Sequence, residues 1–285
     1  MYDEYTLEKR IQRETASFSG LMGIYADDLN GRTVELCADE EFETASTIKS
    51  FILADLFLQV HKGRKSLSDM MPYERENHIG GSGILKCMDE GTVLSAKNMA
   101  TLMIIVSDNV ATNVLIDYLG FEHINSTIAS LGFTKTKLLR KLMEGAEGED
   151  WPPLGVTTPR EYGRFFAMLA RDELVSPEAS KQMLDIFKNQ HYNDTLTNWL
   201  PPYYLDEDNF GAAGTEIYVA SKSGSKENCR NDGGIVGTPY GRYVLAILTR
   251  DFHDTQCHKD HESHTYGARV SRLLFDQYMA KEGRF

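Results

Sequence analysis

The feature that most constrains the fold is the stretch of residues 44–57, which reads TASTIKSFILADLF. Its large apolar residues are Ile48, Phe51, Ile52, Leu53, Leu56 and Phe57. At helical spacing these residues leave no continuous polar face. A helix of this kind belongs in the interior of a protein, where other elements pack around it on every side. We therefore predict a buried central helix here.

The start of this helix carries two polar residues with chemical potential, Ser46 and Lys49. Helix positions three apart lie on one face, so the hydroxyl and the amine can meet. Burial disfavours the charged ammonium, so Lys49 could accept a proton from Ser46 and activate it as a nucleophile. The same short pattern also occurs in ordinary helix caps.

Composition excludes several classes of partner. The 285 residues include 30 basic and 42 acidic ones, a formal net charge of -12, without a long Lys/Arg cluster. Nucleic acids and anionic membrane surfaces are therefore unfavourable partners. No apolar stretch is long enough to cross a bilayer. The N-terminus lacks the basic and apolar regions of a signal peptide, so we expect a cytoplasmic protein.

The four cysteines are Cys37, Cys87, Cys229 and Cys257, and their spacing does not suit a metal site. In a chain without an export signal we expect them to be thiols and not disulfides.

The order of elements predicts an α/β fold. A helix near residues 6–18 precedes a strand at 20–26, and Asn30-Gly31 predicts a two-residue hairpin leading to a strand at 33–36. Residues 66–190 have mainly helical periodicity. Strands are predicted at 216–223, 233–237 and 242–249, followed by a helix at 265–281.

This order predicts that the N- and C-terminal segments share one antiparallel sheet flanked by helices, with an all-helical lobe inserted between them. The predicted sheet lobe comprises residues 1–45 and 203–285, and the helical lobe residues 46–202, within a single domain overall. We expect the functional site in the cleft between the lobes.

Three short motifs would meet at such a cleft. The first is Ser46-x-x-Lys49, the second is Ser107-Asp108-Asn109 between two predicted helices, and the third is Lys222-Ser223-Gly224-Ser225 at the end of a predicted strand. In this order they resemble the motifs of the penicillin-recognising serine hydrolases, most closely the class A β-lactamase-like branch. The resemblance covers nearly the whole chain and implies the two-lobe serine β-lactamase/transpeptidase-like fold. Ser223 stands where the family usually has threonine.

The resemblance implies a role for each matching residue. It implies that Ser46 attacks an amide or ester carbonyl to form an acyl-enzyme, and that Lys49 is the base. It also implies that Ser107 passes a proton to the leaving nitrogen while Lys222 holds that hydroxyl and attracts a substrate carboxylate. The substrate-binding residues that it implies are Asn109, Ser223, Gly224 and Ser225, with the backbone N–H groups of Ser46 and Ser225 as the oxyanion hole.

The resemblance also implies the partner, a small β-lactam or related acyl amide or ester that carries a carboxylate. No cofactor is implied.

Deacylation in class A β-lactamases uses a glutamate on an irregular loop, which corresponds here to residues 139–156. Leu142 occupies the position where we expect that glutamate. Glu144, Glu147 and Glu149 lie close by, although a solvated acidic loop explains them equally well. We therefore predict slow or absent turnover of ordinary penicillins. The alternatives are a penicillin-binding D-alanyl peptidase or small-molecule esterase, or a non-catalytic sensor domain that is acylated once or never.

Two further segments invite a functional interpretation. Residues 251–264 contain His258, His261 and His264 at intervals of three, and an HxxH pair could bind zinc. The segment joins the last strand to the terminal helix, where polar residues and caps are expected, so we predict no metal site. Gly80-Gly81-Ser82-Gly83 is predicted to form a tight turn at the rim of the cleft.

Overall fold

The computed structural model describes residues 6–144, 151–201, 217–256, 258 and 260–285. The elements up to the middle of the chain are α1 (Leu7–Thr15), β1 (Leu21–Asp27), β2 (Thr33–Leu36), β3 (Phe42–Glu43), α2 (Lys49–His61), β4 (Met70–Pro72), β5 (Val93–Ser95), α3 (Ala96–Ile105), α4 (Asn109–Leu119) and α5 (Phe121–Ser130). They are followed by β6 (Lys137–Leu138), β7 (Gly155–Thr157), α6 (Pro159–Ala170), α7 (Pro177–Phe187), β8 (Tyr218–Ser221), β9 (Gly224–Lys226), β10 (Cys229–Thr238), β11 (Gly241–Arg250) and α8 (Glu262–Ala280).

The main sheet joins the two ends of the chain, as predicted. Its strand order is β2-β1-β11-β10-β8, with β9 also paired to β10. Strand β1 runs antiparallel to β11 from the pair Leu21–Arg250 to the pair Asp27–Val244. The antiparallel sheet of N- and C-terminal segments is thereby confirmed.

The two faces of the sheet pack against different helices because side chains alternate along each strand. In β11, Leu245 and Ile247 belong to a cluster that includes Leu7 of α1 and Leu274 of α8. The intervening residues of β11, Val244, Ala246 and Leu248, belong to a larger cluster that extends through the helical region. The sheet is therefore flanked by helices on both faces.

Helix α2 lies within this larger cluster, surrounded by α3, α4, α5 and α7. Phe51, Ile52, Leu53 and Leu56 are almost completely buried, as the apolar stretch predicted. A helix surrounded by others holds its first residues in a fixed position, and Lys49, a predicted site residue, is the first residue of α2.

The structure differs from the sequence prediction in local details. The β1–β2 ladder ends at Asp27–Thr33, so the turn at Asn30-Gly31 is wider than the predicted two-residue hairpin. The Asp28 carboxylate stabilises the wider loop by accepting the backbone N–H groups of Asn30 and Arg32.

The inserted region is mainly helical and also contains short strands that periodicity did not predict. These form the β4–β5 pair and, together with β3 from the N-terminal segment, the β3-β7-β6 sheet. In the C-terminal region, β9 was missed as a separate strand, and β10 begins at Cys229 instead of Gly233. Two or three residues are too few to produce a recognisable alternation.

Candidate functional site

Ser46 lies in a single turn of 3₁₀ helix, Ala45–Ile48, that leads directly into α2. In a 3₁₀ turn, residues three apart lie one above the other, which places Ser46 and Lys49 on the same side. The Lys49 backbone N–H donates to the Ser46 carbonyl. Ala45, just before the serine, has φ 43°, a left-handed value that costs free energy for a residue with a Cβ. Backbone strain therefore lies next to the candidate nucleophile.

Lys49 is fully buried and hydrogen-bonded. Its Nζ lies 2.8 Å from the Ser107 carbonyl oxygen, 3.1 Å from Ser107 Oγ and 2.9 Å from Asn109 Oδ1. Burial lowers the pKa of Lys49 well below its usual value, and the nearby positive charge of Lys222 lowers it further. The lowered pKa favours the neutral form of the Lys49 amine, which is the form that accepts a proton.

The second motif connects helix α4 to the rim of the site. Ser107 has φ 52° and precedes Asp108, the N-cap of α4, whose Oδ1 accepts the Ala111 N–H at 2.9 Å. Asp108 Oδ2 accepts the N–H groups of Ile84 and Leu85, each at 2.7 Å. Asp108 thus ties the rim loop to the helix, a positioning role that we had not predicted although its place before an apolar run marks a cap.

Asn109 reaches both the buried lysine and the glycine-rich turn. Its Oδ1 accepts from Lys49, and its Nδ2 donates to the Gly80 carbonyl oxygen at 2.9 Å. Gly81 and Gly83 have φ values of 80° and 105°, which glycine adopts without strain. The tight turn predicted at residues 80–83 is present.

Lys222 lies between β8 and β9 and is fully buried. Its Nζ donates to the Ser223 carbonyl oxygen at 2.6 Å, and its own carbonyl accepts the Tyr162 hydroxyl at 2.6 Å. Burial lowers the pKa of Lys222 to about 7, against the opposing effect of the Asp232 carboxylate. Lys222 is therefore a second amine whose proton is loosely held at neutral pH.

The third motif packs against the first at Gly224. A Cβ on Gly224 would lie 2.7 Å from the Ser46 backbone nitrogen, 2.7 Å from the Thr44 oxygen and 2.8 Å from the Thr47 nitrogen. The Asn231 side chain helps to hold this contact by donating to the Glu43 carbonyl oxygen at 2.7 Å. Strand β9 therefore runs directly alongside the serine turn.

The three motifs line one cavity of about 70 Å³. Residues that line it are Ser46, Ser82, Ser107, Tyr192, Asp194, Thr195, Ser223, Gly224, Ser225 and His264. Five predicted site residues are in this lining: Ser46, Ser107, Ser223, Gly224 and Ser225. The other three, Lys49, Asn109 and Lys222, do not line it; Lys49 and Asn109 connect to it through Ser107, and Lys222 through Ser223.

Five of the lining residues were not predicted as site residues. Some of them lie in segments that the sequence analysis had singled out, and others do not. Ser82 belongs to the turn that we placed at the rim, and His264 to the histidine-rich segment. Tyr192, Asp194 and Thr195 lie in the segment after α7, where no pattern distinguishes them. Their place at the cavity follows from the path of the chain.

The loop expected to carry a deacylating group places Leu142 beside α4. Its backbone N–H donates to Asn113 Oδ1 at 3.1 Å, and its carbonyl accepts from Asn113 Nδ2 at 2.9 Å. Leu142 packs against the core of the helical region. Glu144 is exposed and lines a separate concavity with Tyr73 and His78. Glu147 and Glu149 lie outside the described residues.

The histidine-rich segment forms a polar connection into α8. His261 caps the helix, accepting the Ser263 N–H at Nδ1, and its Nε2 donates to the Asp254 carbonyl at 2.5 Å. His258 Nε2 lies 3.0 Å from Asp254 Oδ2. Within the residues that the structure describes, no three His, Cys, Asp or Glu side chains are grouped to hold a metal ion.

His264 differs from its neighbours because it faces the cavity. Its Nδ1 lies 2.9 Å from Thr195 Oγ1. Burial lowers the pKa of His264 to about 4, so the ring is neutral at physiological pH.

Two general predictions can be compared with the described part of the chain. Cys37, Cys87 and Cys229 are thiols, as predicted, and Cys257 lies outside the described residues. None of the described helices combines the length and the apolar character that crossing a membrane requires.

Comparisons with known proteins agree with the fold. A curated β-lactamase from Streptomyces fradiae is 25% identical over 257 residues, which cover 86% of this chain and 79% of that protein. The crystal structure of a β-lactamase from Sphaerobacter thermophilus superposes with a TM-score of 0.84 at 26% identity, covering 98% of both chains.

A second structural relative is PBP-A, with a TM-score of 0.80, 26% identity and 96% coverage of both chains. A leucine-to-glutamate variant of PBP-A has been solved as an acyl-enzyme complex with penicillin G, with the same similarity to this chain. The model of the β-lactamase enzyme family matches residues 6–278. The chain therefore belongs to the β-lactamase enzyme family and is a serine β-lactamase-like hydrolase.

Proposed function

We propose that Ser46 is acylated by β-lactams or related amides and esters, and that Lys49 is the base. The observation that carries this proposal is the buried Lys49 amine, whose pKa is lowered by burial and which lies in the turn that presents Ser46 to the cavity. Ser46 Oγ bonds to the substrate carbonyl carbon as its proton passes to Lys49 Nζ. The amide C–N bond then breaks.

The leaving nitrogen must receive a proton, and we propose that Ser107 delivers it. Ser107 Oγ lines the cavity and lies 3.1 Å from Lys49 Nζ. In the proposed sequence, Ser107 gives its hydroxyl proton to the nitrogen and recovers one from the Lys49 ammonium. Lys49 thereby returns to its neutral form, and no other base is needed for acylation.

Backbone N–H groups of Ser46 and Ser225 are the proposed oxyanion hole. The close packing of Gly224 on the Ser46 nitrogen supports this, because it holds the two segments side by side. Losing one such donor typically costs about 3–4 kcal/mol of transition-state stabilisation. We propose that Ser223 and Ser225 bind the substrate carboxylate and acyl amide, with Lys222 as the nearby positive charge, and that Asn109 orients Lys49.

Slow deacylation is the second part of the proposal. Leu142 occupies the position where the resemblance leads us to expect the deacylating glutamate, and Glu144 lines a different concavity from Ser46. A leucine-to-glutamate variant of the structural relative PBP-A was solved as an acyl-enzyme complex with penicillin G, which supports acylation of this chain by penicillins. A penicillin-binding peptidase or esterase with slow β-lactam turnover is therefore the second candidate function.

A time course of intact mass with a penicillin and a chromogenic cephalosporin tests the proposal. We expect an adduct of one β-lactam per chain that persists for minutes to hours, and none in Ser46→Ala. A transient adduct with rapid release of product would contradict slow deacylation. Absence of any adduct in the unmodified protein would contradict the assignment of Ser46 as a nucleophile for β-lactams.

A further inference from the structure

Tyr162 is a fully buried tyrosine of α6 that the proposed acylation steps do not use. Its hydroxyl donates to the Lys222 carbonyl oxygen at 2.6 Å and lies 3.4 Å from Ser50 Oγ. The contact with Lys222 is much the shorter of the two and therefore the stronger hydrogen bond. Burial raises the pKa of Tyr162 well above its usual value, so the hydroxyl keeps its proton and remains a donor. A side chain in the core thus holds the backbone of a predicted site residue.

The ring of Tyr162 is itself held in place by packing. It lies against β10 at Gly233, where an added Cβ would be 2.5 Å from the ring atom Cε1. The rings of Phe51 in α2 and Phe166 in α6 also pack against it, with centroids 6.3 Å and 5.3 Å away. Packing this close leaves little freedom to a core side chain. The position of the hydroxyl is therefore set by the core.

The Lys222 backbone is held at both of its polar groups. The ladders that β8 and β9 form with β10 leave Lys222 and Ser223 between them. The Lys222 N–H donates to the Gly233 carbonyl oxygen of β10 at 2.9 Å. Tyr162 binds the carbonyl of the same residue. The tyrosine therefore helps to fix the backbone in an interval that the ladders do not cover.

The direction of one peptide follows from this arrangement. The Lys222 carbonyl and the Ser223 N–H belong to one planar trans peptide, so they point in opposite directions. Because the carbonyl points into the core toward Tyr162, the N–H points away from the core. Strand β8 is the last in the order of the main sheet, β9 lies along the same edge of β10, and Ser223 lines the Ser46 cavity. The Ser223 N–H is therefore directed off the edge of the sheet, on the side of the cavity.

We propose that Tyr162 is a positioning residue: by holding the Lys222 carbonyl from the core, it directs the Ser223 N–H toward a ligand carboxylate in the cavity. The inference rests on the proposed acylation of Ser46. A hydrogen bond from an N–H to a carboxylate is stronger than one between neutral groups, and hydrogen bonds at the two ends of one peptide polarise each other. Tyr162 thus acts on the ligand without touching it, and a ligand without a carboxylate gains much less from it.

The test compares a penicillin with its methyl ester in Tyr162→Phe, which keeps the ring and removes the hydroxyl. The second-order rate constant for acylation is measured for each ligand by intact mass. We expect the constant for the penicillin to fall about tenfold relative to the unmodified protein, and that for the ester at most about twofold, because hydrogen bonds to charged groups contribute more than neutral ones. Equal losses for the two ligands, or no loss for the penicillin, would overturn the inference.

Tyr278→Phe is the matched control. The Tyr278 hydroxyl also donates to a backbone carbonyl oxygen, that of Arg242, at 2.9 Å. Tyr278 belongs to the apolar cluster on the other face of the sheet from Tyr162. The control variant loses a hydrogen bond of the same kind, and we expect it to react with both ligands at the rates of the unmodified protein. A selective loss for the penicillin in this variant as well would overturn the inference, because the effect would then follow from lower stability alone.

An experiment on the native tyrosine keeps the inference testable if Tyr162→Phe does not fold. Ser46→Ala, containing tyrosine labelled with carbon-13 at Cζ, is titrated with each ligand, and exchange of the Tyr162 hydroxyl proton with solvent is followed by NMR. The signal is identified by the contacts of its ring with Phe51 and Phe166. A carboxylate that polarises the peptide held by Tyr162 should strengthen the hydrogen bond of the hydroxyl and slow its exchange, whereas the ester should not.

The NMR experiment also separates failure of this inference from failure of acylation. Slower exchange with the penicillin supports the inference even if no adduct forms on Ser46. Unchanged exchange with the penicillin bound contradicts the inference even if Ser46 is acylated. If the penicillin does not bind, the inference is wrong together with the assignment of the cavity to β-lactams.

Discussion

Gly224 packs against Ser46 so closely that no side chain fits between them. A methyl group at Gly224 would lie 2.7 Å from the Ser46 backbone nitrogen and 2.7 Å from the Thr44 oxygen. Both neighbours are backbone atoms, which cannot rotate away as the end of a flexible side chain can. Strand β9 and the serine turn would therefore have to separate.

Gly224→Ala should consequently impair both stability and chemistry. Overpacking of this kind typically costs about 1–3 kcal/mol, and we expect the free energy of unfolding in urea to fall by that amount. Acylation by a penicillin, measured by intact mass, should slow at least about tenfold because the proposed oxyanion donors move apart.

Gly80→Ala is the control for this substitution, since its methyl would meet only Glu144 Oε1 at 4.0 Å. It should retain the stability of the unmodified protein. If a penicillin acylates Gly224→Ala as fast as the unmodified protein, the contact between Gly224 and the serine turn has no functional consequence.

Leu142→Glu should shorten the life of the acyl-enzyme. The Asn113 side chain holds both the N–H and the carbonyl of residue 142, so the new carboxylate would project from a fixed backbone. A correctly placed base typically accelerates such a step by about a hundredfold or more. The decay of the adduct in intact-mass spectra measures the effect. Leu142→Gln has the same size without the base, and equal decay in the two variants would refute the prediction.

Asn109→Asp should move the pH dependence of acylation. Asn109 Oδ1 lies 2.9 Å from Lys49 Nζ, and a carboxylate there would favour the ammonium and raise the pKa of Lys49. The lysine would then become a base only at higher pH, so the acid limb of the acylation profile should shift upward. Rates measured from pH 5 to 9 test this shift.

Asn125→Asp provides the control for that profile. Asn125 hydrogen-bonds the backbone of Leu138 and makes no contact with Lys49. The acid limb of the acylation profile of Asn125→Asp should lie at the same pH as that of the unmodified protein, even if the variant is less stable. A profile of Asn109→Asp that coincides with that of the unmodified protein would argue against Lys49 as the base.

His264 should make the protein less stable in mild acid. Burial lowers the pKa of His264 to about 4 from an ordinary value near 6.5. Between these values the unfolded chain binds a proton that the folded protein does not, so stability falls as pH decreases from 6.5 to about 4. At about 1.4 kcal/mol per pKa unit, the loss is on the order of 2–3 kcal/mol.

His264→Asn keeps a hydrogen-bonding group beside Thr195 but does not titrate. Thermal unfolding at pH 7 and pH 4.5 should therefore show a smaller loss of stability for this variant than for the unmodified protein. If both lose the same amount, the burial of the imidazole does not contribute to the acid sensitivity.

Much of the architecture could be predicted because long, periodic segments carry their own signal. The all-round apolar character of residues 48–57 predicted a buried helix, and the apolar run at residues 242–249 predicted β11. The short strands β3, β6 and β9 could not be predicted in this way. Each is too short to show alternation and exists because a neighbouring strand satisfies its backbone hydrogen bonds.

The sequence by itself determined which chemical groups are available and on which elements they lie: a serine and lysine at the start of a buried helix, a Ser-Asp-Asn turn between two helices and a lysine at the end of a strand. Only the tertiary structure decided that Lys49 reaches Ser107 and Asn109, that Gly224 packs on Ser46, and that His264 lines the same cavity as Ser46. The physical reason is that a lowered lysine or histidine pKa depends on how much water packing removes. That packing is made by segments far apart along the chain.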